Sequence, residues 1–122
     1  MDTQLLVDRL REIFAATQGT ERTVDAFALA PAYGGMVKDA YILGVAAPML
    51  GKSGCHITIS TYVYLLHEKL PAELMSAIDR VRVYDSVEKL RYYAKCNFDE
   101  ESCDVCERPL HQRSEVFELE TV

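Results

Sequence analysis

The chain has 122 residues, enough for one domain whose core needs no disulfides, and its 49% hydrophobic and 26% charged residues are proportions of a folded chain rather than a disordered one. Its 13 basic and 19 acidic side chains give a formal charge of −6, which favours solubility and argues against broad binding to phosphate backbones. Arg9 and Arg11 are interleaved with Asp8 and Glu12, so no basic stripe offsets that balance and nucleic acid is not an expected partner.

Met1-Asp2-Thr3-Gln4 contains no cationic stretch leading into an apolar run. The most apolar stretch, Ala40 to Leu50, is well short of the roughly 20 residues that span a bilayer. The expectation is a cytoplasmic chain with no membrane association and with its four cysteines reduced.

Residues 2–17 predict a helix. Leu6, Leu10, Ile13 and Phe14 recur at helical spacing, Asp2 or Thr3 can cap the first turn, and Gly19 can end it. Residues 22–30 predict a strand carrying Val24, Phe27 and Leu29, closed by Pro31. After the turn at Gly34-Gly35, the near-continuous apolar run from Tyr41 to Ala47 suits a strand covered on both faces and paired with the first as a hairpin. Residues 53–69 carry two competing signals. Cys55-His56-Ile57-Thr58-Ile59 alternates like a strand, while Val63, Leu66 and Leu70 fall at helical spacing, and a helix ending near Lys69 is the preferred reading. Pro71 opens a further helix with Leu74, Met75 and Ile78 on its apolar face. Arg80-Val81-Arg82-Val83-Tyr84 alternates as a strand, and Asp85 or Ser86 caps a last helix with Val87, Leu90 and Ala94 inward.

The resulting order, α-β-β-α-α-β-α, is that of a single small α+β domain with a mixed sheet over 1–95. Residues 96–122 form an acidic cysteine-containing tail. Asp99, Glu100, Glu101 and Asp104 crowd it, and Val116, Phe117 and Leu119 restore apolar character at its end, as an edge strand would.

The strongest chemical signal lies in that tail. Cys96, Cys103, Cys106 and His111 follow a C-x6-C-x2-C-x4-H spacing. Thiolates and imidazole are the donors zinc prefers, and four of them close a tetrahedral site. Cys103 to Leu110 is similar to one knuckle of a zinc ribbon, which has two; the resemblance covers those eight residues. Read instead as a redox pair, Cys103-x-x-Cys106 is flanked by Asp104 and Glu107, whose charge disfavours a thiolate. A second constellation is Cys55-His56, a nucleophile beside an imidazole, although sequence neighbours point apart on helices and strands alike. Just before it, Gly51-Lys52-Ser53-Gly54 offers glycines, a lysine and a following helix for a phosphate, but lacks the upstream glycine of a phosphate-binding loop. His67-Glu68 lacks the second histidine of a helical zinc site, and Tyr62 and Tyr64 suit either a core or a groove.

With no catalytic set converging, the expected function is that of a non-enzymatic binding or regulatory module. It is expected to be homodimeric or to bind a protein partner, with the tail organised by a structural metal, zinc being the natural choice. The alternative is a small enzyme with its site at Gly51–His56, using Cys55. An uncovered edge at the strand Arg82–Tyr84 invites cover by a second copy or by the chain's own terminus.

Overall fold

The computed structural model describes residues 3–31, 39–95 and 116–119. Helix α1 (Thr3–Ala15) buries Leu6, Val7, Leu10 and Phe14, spaced to form one face. Strands β1 (Ala26–Pro31) and β2 (Tyr41–Ala46) pair antiparallel in the register Phe27↔Val45 and Leu29↔Leu43, as the hairpin reading requires. The chain then runs through α2 (Leu50–Ser53), α3 (Cys55–Lys69) and α4 (Ala72–Met75) before β3 (Ile78–Tyr84) returns parallel to β2. A parallel pair needs such a crossover, because no tight turn can reverse the chain twice. Helix α5 (Val87–Lys95) and the three-residue β4 (Val116–Glu118) follow.

The sheet order is β3-β2-β1-β4, with one parallel and two antiparallel pairs, so the fold is α+β with a mixed sheet. Its two faces are built from different residues. The larger core joins Phe14, Phe27, Leu43, Val45 and Val83 to Tyr62 and Leu66 of α3. The opposite face is paved with Ala26, Ala28, Ala30, Ile42 and Ala46, and Leu90 of α5 packs on it with Tyr84. Small side chains there let a nine-residue helix lie close to the sheet. Ser86 caps α5: the Lys89 amide donates to its Oγ at 3.2 Å, and Lys89 Nζ reaches Asp85 at 3.2 Å.

Three boundaries differ from the sequence reading, each for a local reason. The first strand begins at Ala26, because Thr20 and Thr23 instead tie a turn by donating their hydroxyls to Thr17 and Thr20 carbonyls. In the stretch 53–69 the helix α3 starts at Cys55, and Gly54 holds the position before it at φ 79°, a conformation that favours glycine. The helix after Pro71 stops at Met75, and Ile78 opens β3 rather than extending the helix. The terminal segment also covers a different edge. β4 pairs with β1 through Phe27↔Phe117, on the far side of the sheet from β3. Among the described residues no strand pairs with the outer edge of β3. Exposed Arg80 and its 2.8 Å ion pair with Asp79 charge that edge, a common defence against unwanted strand pairing.

Tyr62 ties the helical layer to the turn before β1. Its ring is fully buried, and its hydroxyl donates to the Arg22 carbonyl at 2.9 Å and the Thr23 carbonyl at 3.3 Å. Burial pushes that hydroxyl up to about 12, with Arg22 pulling down and Asp25 pushing up. The folded state therefore holds this proton more tightly than the unfolded chain, whose tyrosine titrates near 10.0. The stabilisation is intact below that pH and is lost as pH rises from there through about 12. Tyr62→Phe is expected to cost about 1 kcal/mol at neutral pH through the lost hydrogen bond, and to remove this part of the alkaline fall in stability. Urea midpoints measured across that pH range compare the two proteins; an unchanged alkaline fall in the variant would assign it to other groups.

Candidate functional site

Three places carry the chemistry-bearing side chains: the turn before α3, a groove beside β3, and the outer face of α3. The metal set Cys96, Cys103, Cys106 and His111 lies outside the described residues. No group of three or more His, Cys, Asp or Glu converges among the described residues.

At the turn, the phosphate-cradle reading meets a backbone whose donors are already engaged. The Gly51 amide donates to Pro48, those of Lys52 and Ser53 to Met49, and that of Gly54 to Leu50, at 2.8 to 3.3 Å. Gly51 to Ser53 are thus inside the short helix α2 rather than in an open loop. A phosphate loop works by aiming unsatisfied amides at its ligand, and these amides are spent. What remains is a cavity of about 320 Å³ between Thr20, Thr23, Met49, Lys52 and Ser53.

Cys55 and His56 are adjacent in sequence and diverge in space. Successive residues on a helix are rotated by roughly 100°. Cys55 accordingly packs against the larger core, while His56 is exposed. Cys55 is also disulfide-bonded, which departs from the expectation of four reduced thiols. A disulfide sulfur has no thiolate to offer as a nucleophile, so the chemistry of the enzyme reading at this residue requires reduction first. The sequence has four cysteines, at 55, 96, 103 and 106.

The groove beside β3 has a volume of about 570 Å³ and is lined by Val63, His67, Leu70, Met75, Ile78 and Arg80, among others. It is open and mostly apolar, with a single imidazole at its rim. A general base needs an orienting partner, and His67 has no hydrogen-bond or ion-pair partner among the described residues.

Helix α3 is the element whose sequence signal was least clear, and its structure explains why. It buries Thr58, Tyr62, Leu65 and Leu66 on the sheet, yet it leaves Ile57 60% and Tyr64 76% exposed. A helix that covers one face of a sheet is normally polar on its other side, and on α3 that side carries Ile57 and Tyr64 among His56, Ser60, His67 and Glu68. Tyr62 and Tyr64, two positions apart, take opposite fates: one is a core residue and the other stands in solvent. The signal available in the sequence was Ile57 and Tyr64, two turns apart on the side away from Tyr62 and Leu66. No described helix is long and apolar enough to cross a membrane. The chain matches no protein-family model, and no curated protein or solved structure is significantly similar to it.

Proposed function

We propose that this chain is a non-enzymatic binding or regulatory module that works as a homodimer. The observation that carries the reading is the outer face of α3, where Ile57 and Tyr64 remain exposed on a helix already satisfied against the sheet. Contiguous apolar surface marks places where another surface docks, and Ile57 and Tyr64 lie two turns apart on one side of the helix. The reading is also supported against an enzyme at Gly51–His56. There the amides are engaged, the sulfur is oxidised, and the imidazole points away from it. In the reduced chain, Cys96, Cys103, Cys106 and His111 supply a zinc-type donor set that would organise the tail.

Native mass spectrometry of protein purified under reducing conditions without chelator tests both parts at once. The expected spectrum is dominated by a dimer at micromolar concentration. A monomer throughout the micromolar range would overturn the homodimer.

A further inference from the structure

We infer that the cavity of about 320 Å³ between the turn before β1 and helix α2 binds a free α-amino acid with an apolar side chain. Its two walls carry opposite charges, Glu21 on the turn and Lys52 on α2. No ion pair joins them, and neither side chain has a hydrogen-bond or ion-pair partner among the described residues. Beside Lys52, the Ser53 hydroxyl is also without a partner among the described residues. On the Glu21 wall, Thr23 donates its hydroxyl proton to the Thr17 and Thr20 carbonyls, so its oxygen is left to accept. Pro48 and Met49 complete the lining, and Met49 packs against the larger core.

Donors are therefore grouped on one wall and acceptors on the other. A small anion would meet Lys52 but be repelled by Glu21, and a small cation would suffer the reverse. A neutral molecule would leave both charges without a counter-charge. A zwitterion satisfies both walls at once: its carboxylate takes Lys52 and Ser53, and its ammonium takes Glu21 and the Thr23 oxygen. An α-amino acid holds both groups on one carbon, and its side chain is then left to lie on Pro48 and Met49. Small-molecule sites run from roughly 300 to 1,000 Å³, so this cavity suits a compact ligand better than a nucleotide.

Both walls are held in place before any ligand arrives. Thr20 donates to the Thr17 carbonyl, the Arg22 amide donates to Thr20 Oγ1 at 3.1 Å, and the Tyr62 hydroxyl donates to the Arg22 and Thr23 carbonyls. Opposite them, the Lys52 and Ser53 amides donate to the Met49 carbonyl at 3.0 and 2.8 Å. Bonds that disqualify these amides for a phosphate thus fix the backbone from which Lys52 and Ser53 project. Binding then orders side chains rather than a loop, which lowers its entropic cost.

Nuclear magnetic resonance titration of the nitrogen-15-labelled full chain is the test, with L-alanine, L-leucine and L-methionine as probes. At least one is expected to shift the amide signals of Thr20 to Thr23 and of Lys52 and Ser53 saturably, with a dissociation constant below about 1 mM. Its N-acetyl derivative keeps only the carboxylate and its amide keeps only the ammonium, and each is expected to bind at least about tenfold more weakly. Lys52→Ala and Glu21→Gln are each expected to weaken the free amino acid by at least about tenfold. Both side chains are exposed, so melting of the variants should match the parent. No saturable shift with any of the three probes overturns the site. Binding untouched by both substitutions overturns its place in this cavity. A blocked derivative that binds as tightly as the free amino acid overturns the zwitterion.

Discussion

Phe14→Ala should remove about 4 kcal/mol of stability. Phe14 is fully buried at the point where three elements meet. Its ring lies 5.5 Å from Phe27 of β1 and edge-on at 6.4 Å from Tyr62 of α3. Phe27 in turn stacks at 5.1 Å on Phe117 of β4, and the Arg11 guanidinium of α1 lies over the Phe117 ring at 5.3 Å from its centre. Truncating Phe14 therefore removes its own apolar burial, opens a cavity between α1, the sheet and α3, and withdraws edge contacts from two neighbouring rings. A domain of this size has on the order of 5–15 kcal/mol in hand, so the variant is expected to be marginal at room temperature. Leu5→Ala is the control, because Leu5 is next to the buried Leu6 but 46% exposed, and its loss should stay below about 1 kcal/mol. Urea unfolding of the three proteins makes the comparison. Equal losses for the two variants would show that α1 does not sit on the core through Phe14.

The aromatic cluster also shows which parts of the fold were legible in the sequence. Phe14 falls on a clean helical stripe and Phe27 in a strand-forming segment, so the elements that bring them together could be read. Their meeting with Phe117 could not. A three-residue strand has almost no pattern of its own, and what directs β4 to β1 rather than to β3 is the ring stack at Phe27↔Phe117 together with the charges on the β3 edge. Such choices are made by tertiary packing, which period and propensity do not encode.

The stretch 53–69 was ambiguous for a reason that the hydrogen bonds make plain. Its β-branched residues favour strands, yet Thr58 donates its hydroxyl to the Gly54 carbonyl at 2.7 Å and Thr61 to Ile57 at 2.8 Å. These are the back-bonds to the fourth residue before that let threonine sit in a helix. Of the candidate site, the divergence of Cys55 and His56 followed from sequence adjacency alone. The disulfide at Cys55 did not, since the spacing of four cysteines does not say which of them pair. Nor did the engagement of the Lys52 and Ser53 amides, which follows from Pro48-Met49 turning the chain into a single helical turn instead of an open loop.

Zinc uptake should require reduced protein. Zinc is held by thiolates, and a sulfur in a disulfide has none to offer, so the set Cys96, Cys103, Cys106 and His111 needs its three cysteines as thiols. Two electrons from an added phosphine open the disulfide and release two thiols. Each thiol that then binds zinc gives up its proton, so uptake should also weaken as pH falls. Elemental analysis after removal of unbound metal is the measurement. Oxidised protein is expected to hold little zinc, and reduced protein about one ion per chain. Cys55→Ser, purified with zinc present, should bind about as well without reductant, because no disulfide can form at position 55 and all four proposed ligands remain. Cys103→Ser should lose most of the metal in every state, since a serine hydroxyl is a poor neutral donor where a thiolate is needed. Equal zinc in oxidised and reduced protein would overturn the dependence on free thiols. No zinc in reduced protein or in Cys55→Ser would remove these four residues from consideration as a metal site and leave them as the thiols and imidazole of an acidic tail.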